Sequence, residues 1–197
     1  MTVLPLAYLP SVEYFAHLLR GGCVVDLGEH FVKRSERNRA RILATDGVME
    51  LTVHVRNANR PRQPVRDVRI DYSKRWQHQH WGALVASYKG SPYFDFYAEY
   101  FEPFYRREYG FLADYNRGLL DSLTHVPMPD FSESYVDAAA GDLDLRPKRK
   151  KEGPAFIAET YVQVFSDRMP FQPNLSVADL LFAEGPAAAS VLARCRL

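Results

Sequence analysis

The opening of the chain constrains its fold more than any later part. "TVLPLAYLP" is a short apolar run closed by proline, and "SVEYFAHLLRGG" follows it, with Ser11 placed to cap a helix and Gly21 and Gly22 placed to end it. Val12, Phe15, Ala16 and Leu19 share one face of that helix. "CVVDLGEH" then gives a continuous β-branched run ending in acids, the pattern of a strand buried within an α/β sheet. Strand, helix and strand in so short a span predict a βαβ unit.

Later segments add a hairpin and helices. "RILATDGVMELTVHV" sets Asp46 and Gly47 between two branched runs, the signal of a two-residue hairpin turn. "RNANRPRQPVRD", with two prolines and four arginines, reads as an exposed loop that leads to a strand, "VRDVRIDY". It is a second concentration of positive charge. "KRWQHQHWGALVASYKG" carries Trp81, Leu84, Val85 and Tyr88 at helical spacing, with Ser73 as its cap and Gly90 as its stop. Two further helices follow, the first crowded with Phe and Tyr and expected to kink or divide at Pro103. From 127 to 154 the texture turns to prolines, small residues, alternating acids and "RPKRKKEGP", which predicts a mobile surface loop, placed at 137–153. The remainder holds a strand-like run, "FIAETYVQVF", a proline turn, and the helix "VADLLF" capped by Ser176.

The whole, residues 1–197, reads as one α/β domain with a small mixed, partly parallel sheet, a β-hairpin and surrounding helices. A balance of 25 Lys plus Arg against 24 Asp plus Glu argues against a surface built for nucleic acid, so any anion site is local. Cys23 and Cys195 stand far apart and outside any metal-like spacing, which predicts free thiols in a reducing compartment. The N-terminal stretch has no basic lead and is broken by Pro5 and Pro10, so it does not read as a signal peptide. No apolar run reaches the roughly 20 residues of a membrane span. The expectation is a cytoplasmic protein.

One stretch stands out electrostatically. "EHFVKRSERNRARIL" packs Lys33, Arg34, Arg37, Arg39 and Arg41 together in a chain of net charge +1. Like charges at such spacing repel unless water or an anion faces them. A solvated face is one reading; a pocket for phosphate or carboxylate is the other, since the arginine fork binds such groups bidentately. If the stretch is helical, Lys33, Arg37 and Arg41 share a side. Asp26 and Glu29 close the preceding strand, where α/β sheets place ligands, or else pair with the arginines beside them. His78 and His80 flank Gln79, but side chains two apart on a helix diverge, so metal binding is not expected. One of the pair reads as a general acid or hydrogen-bond donor in a cleft, the other as surface. No Walker loop, GxGxxG, GxSxG or HExxH occurs.

These blocks, in this order, resemble the WbqC-like protein family. The resemblance rests on "YLPSVEYF", "EHFVKRSERNRARI", "DVRIDYSKRWQHQHWGALVASYKGSPYFDFY" and "YVQVFSDRMPFQPNLSVADLLFAEGP". The family's Lys-Arg-Ser-x-x-Asn-Arg core stands here as Lys33, Arg34, Ser35, Asn38 and Arg39, and Trp76 and His80 match as well. A His-Gln-Pro-Asn element of many relatives is replaced by "LPLAYLP". The resemblance implies a setting in bacterial surface-polysaccharide (O-antigen) biosynthesis. The expectation is therefore a transferase-type enzyme acting on a phosphate-bearing sugar or acyl donor, with no cofactor. Lys33, Arg34, Ser35, Asn38, Arg39 and Arg41 would hold the anion, His80 would be the general acid or base, and Tyr8 and Tyr88 would line the pocket. The alternative is a non-catalytic protein of the same pathway that binds a nucleotide-sugar or a partner enzyme.

Overall fold

The computed structural model describes residues 1–123, 128–146 and 156–197. Strand β1 (Thr2–Pro5) runs parallel to β2 (Cys23–Asp26), with Thr2 opposite Cys23 and Pro5 opposite Asp26, and helix α1 (Val12–Arg20) joins them. The predicted caps are in place: Ser11 Oγ accepts from Tyr14 N at 3.4 Å, and Gly21, at φ 77°, donates its N–H to Leu18 O. The later part of the chain returns to the start of this helix. Val12 N donates to Leu175 O and Val177 N to Pro10 O.

After β2 come the hairpin strands β3 (Arg39–Ala44) and β4 (Gly47–Thr52). Ala44 pairs with Gly47, so the turn residues are Thr45 and Asp46, one position earlier than the sequence suggests. Gly47 begins β4 at φ 119°, which only glycine adopts without cost. The parallel sheet gains its outer strands from β5 (Asp130–Ser132) beside β2 and β6 (Leu143–Asp144) beside β1, giving the order β5-β2-β1-β6. Residues 137–146 of the expected loop therefore carry an edge strand and the buried Arg146, while 147–153 lie outside the described residues.

The expected strand "VRDVRIDY" is a correction. Residues Val65–Asp67 form a 3-10 turn, and Arg69 and Ile70 make only isolated bridges, to Phe111 and Val55. Val65, Val68 and Ile70 are still buried, so the apolar spacing marks the core side of an irregular segment. "FIAETYVQVF" likewise forms no strand; Ile157 bridges to Arg196, and Tyr161 and Gln163 bond to Asp179.

Three helices follow: α2 (Trp76–Tyr88) packs on β3, α3 (Phe94–Arg106) on α2, and α4 (Leu112–Ser122) on α3. Ser73 lies outside α2, donating its N–H to Asp71 Oδ1, and the helix begins without a side-chain cap. α3 runs undivided through Pro103. α5 (Val177–Glu184), capped by Ser176 as expected, and α6 (Ala188–Arg194) close the chain against α1. Much of the aromatic content goes inward: Tyr8, Phe15, Trp76, Tyr88, Tyr115 and Phe182 are all fully buried. Among the described residues no helix is long and apolar enough to cross a membrane.

Candidate functional site: an arginine-walled cleft

A cleft of about 430 Å³ opens where β1 ends. Its first wall is the connection from Pro5 through Tyr8 and Leu9 to the first turn of α1, and its second is the basic stretch from Arg34 to Arg41. Leu145 and Arg146, just past β6, Asn174 and Ser176, before α5, and Glu50 of β4 complete it. Ligands of α/β sheets sit at the carboxyl ends of parallel strands, and this cleft has that position.

The basic stretch is not helical. Asn38 N and Arg39 N both donate to Ser35 O, at 3.1 and 3.0 Å, closing a turn that feeds β3. Tyr8 N donates to Glu36 O at 2.8 Å, which holds the turn across the first wall. Ser35 Oγ donates to Val32 O and accepts from Arg37 Nη1, while Asn38 Nδ2 donates to Val53 O at 3.0 Å. Both polar side chains thus build the loop. Ser35 also lines the cleft; Asn38 is buried behind it.

The arginines divide by partner. Arg37 is buried and paired bidentately with Glu29, whose carboxyl is pushed up to about 7 by burial against the pull of Arg37. Arg146 is clasped by the fully buried Asp26 and by Asp144, whose Oδ2 lies 2.8 Å from Nη2. Arg39 meets Glu50 at 2.7 Å in a partly exposed pair. Glu50 stands directly opposite Arg41 in the hairpin register, yet its carboxylate turns to Arg39. Among the described residues, Arg34 and Arg41 have no carboxylate at ion-pair distance. Arg34 is exposed and held at φ 58°, and Arg41 is exposed on the open face of β3.

The start of α1 offers little to an anion, because its first amides are taken. Val12 N goes to Leu175 O, Glu13 N to Asn174 Oδ1 at 3.0 Å, and Tyr14 N to Ser11 Oγ. The positive charge left without a carboxylate partner in the cleft wall is that of the Arg34 and Arg41 guanidiniums.

The other expected site residues sit elsewhere. Lys33 donates to Asn59 Oδ1 at 2.7 Å, outside the cleft wall. Tyr88 is buried against Phe182, its hydroxyl accepting from Leu43 N at 2.8 Å. His80 is buried behind Tyr8: its Nδ1 lies 2.9 Å from the Tyr8 hydroxyl, which lies 2.9 Å from the Tyr105 hydroxyl. Burial holds the His80 imidazole down at about 4, so it is neutral at physiological pH. His78, by contrast, is exposed, and among the described residues no group of three or more His, Cys, Asp or Glu is arranged for a metal ion.

Sequence reasoning missed Arg146 and Asn174. Arg146 precedes a lysine-arginine run that masks it, whereas Asn174, in a proline turn just before a capped helix, carries a faint signal.

No solved structure matches the chain. An uncharacterized protein of Mycobacterium tuberculosis, Rv1507c, is 34% identical over 94 residues, 47% of this chain; the match covers 40% of that relative, so the chain spans well under two thirds of its length. The profile of the WbqC-like protein family matches residues 7–126, which include Tyr8, the basic stretch, His80 and Tyr88. The chain belongs to the WbqC-like protein family.

Proposed function

We propose that the cleft holds the phosphate-bearing end of an activated sugar or acyl donor, and that the chain is a cytoplasmic transferase-type enzyme of bacterial surface-polysaccharide (O-antigen) biosynthesis. The observation that carries the binding reading is the division of the arginines. Arg37, Arg39 and Arg146 are committed to carboxylates, while Arg34 and Arg41 face the cleft with no such partner among the described residues. Two planar guanidiniums suit a diphosphate, and the fixed pairs behind them keep the wall from rearranging. Leu9, Pro10 and Tyr14 on the opposite wall offer apolar surface for the rest of a donor. The surface-polysaccharide setting is what the resemblance to the WbqC-like family implies.

A specific observation favours a second reading, a non-catalytic binder of a nucleotide-sugar or of a partner enzyme of glycan synthesis. His80, the expected general acid or base, lies behind Tyr8 and outside the cleft wall. Purified protein incubated with nucleotide-sugars and acyl donors, with product followed by mass spectrometry, separates the two. Turnover that falls with Arg34→Ala and Arg41→Ala supports the transferase. Saturable binding with no turnover supports the binder.

A further inference from the structure

A separate recess of about 320 Å³ opens on another part of the surface, where the second arginine-rich segment begins at Arg56. Arg56 and Arg69 stand in its wall with Tyr72, Glu108 and Tyr109. We infer that this recess is a second anion site, in which Arg56 and Arg69 together grip a phosphate group.

The backbone forces the two arginines together. Arg56 N donates to Arg69 O at 2.9 Å beside the antiparallel bridge of Val55 to Ile70, so two exposed cations flank one short paired segment. Like charges placed across a strand pair are destabilising unless something negative relieves them. Among the described residues neither arginine has a carboxylate at ion-pair distance; Asp71 feels the Arg56 charge without pairing with it, and Glu108, on the rim, reaches neither. The segment is also stiff. Ile70 N donates to Gly110 O, Leu112 N to Val68 O, and Tyr109 N to the Tyr72 hydroxyl at 2.8 Å. The Arg69 guanidinium sits 4.6 Å from the centre of the Phe111 ring, which limits its freedom before any ligand arrives. Arg107, over the Tyr109 ring at 5.2 Å, adds a third positive charge near the rim. Two arginines on one face of a rigid frame, one of them already restrained, suit a phosphate, which two guanidiniums bind by charge-assisted hydrogen bonds.

Equilibrium dialysis with radiolabelled inorganic phosphate tests this separately from the cleft. The Arg34→Ala/Arg41→Ala protein, with the cleft disabled, is expected to keep one bound equivalent. Adding Arg56→Gln should lower that remaining affinity at least tenfold while leaving the melting temperature without phosphate no lower than before, since a cross-strand repulsion is removed; Arg69→Gln should do the same to affinity. A cleft-disabled protein that binds no phosphate overturns the inference, as does retained binding that ignores both substitutions. A parent protein whose only bound equivalent is lost with Arg56→Gln and kept with Arg34→Ala/Arg41→Ala would uphold this site and remove the cleft reading instead.

Discussion

The Tyr8 hydroxyl and His80 Nδ1 lie 2.9 Å apart on the core side of the cleft wall. Tyr8 contributes to the cleft and its ring stacks on Tyr115, yet its polar end is turned inward to His80 and Tyr105. The pair ties the first wall of the cleft to α2 and α3. A buried neutral imidazole in this place makes the wall sensitive to acid.

The sign of that sensitivity follows from the imidazole's two environments. It titrates near 6.5 in the unfolded chain and at about 4 in the folded one, so the unfolded state takes the proton first as pH falls. Stability is lost between about pH 6.5 and 4 and is not lost further on this account below that. The full difference is worth about 3 kcal/mol. Urea unfolding at pH 7 and pH 4 should therefore show a larger loss for the parent than for His80→Gln; equal losses would contradict the buried neutral histidine.

Removing one member of a buried pair should cost far more than removing one member of an exposed pair. Glu29→Ala leaves the buried Arg37 guanidinium without its bidentate partner, for an expected loss of about 3–5 kcal/mol. Glu50→Ala breaks the partly exposed pair with Arg39 and should cost less than about 1 kcal/mol. Chemical denaturation of the two variants makes the comparison directly.

Gly28 sits where the chain leaves β2, and its packing leaves no room for a side chain. A Cβ there would lie 2.2 Å from Tyr135 N and 2.4 Å from Ser134 C, both backbone atoms. Gly28→Ala must push this segment away from the end of β2, where Asp26 Oδ2 accepts from Val136 N at 3.1 Å. The expected cost is about 1–3 kcal/mol. Hydrogen exchange should accelerate selectively in residues 130–136, and uniform protection equal to the parent's would count against this packing.

Local chemistry made part of this structure legible in advance. Ser11 and Ser176 announce their helices because a cap is a short-range bond, and β1, α1 and β2 announce themselves through apolar spacing. β5 and β6 do not, since strands of three and two residues carry no period and exist only because β2 and β1 offer open edges. In the site, the arginines were visible as a cluster, but their division was not. Glu29 captures Arg37 eight residues on, and Asp26 captures Arg146 from 120 residues away, which only the folded chain can decide. Ser35 and Asn38 have the polarity of ligand-binding residues, yet Ser35 Oγ and Asn38 Nδ2 both donate to backbone carbonyls.

The central claim is that Arg34 and Arg41 make the cleft an anion site. Isothermal titration of the parent, Arg34→Ala, Arg41→Ala and the double variant with a panel of nucleotide-sugars tests it most directly. The parent should bind at least one of them saturably. Each single substitution should weaken it about tenfold or more, in line with about 1.5–3 kcal/mol for a hydrogen bond to a charged group, with the fold left intact. Binding of equal strength by the parent and the double variant, or none by the parent, would contradict it.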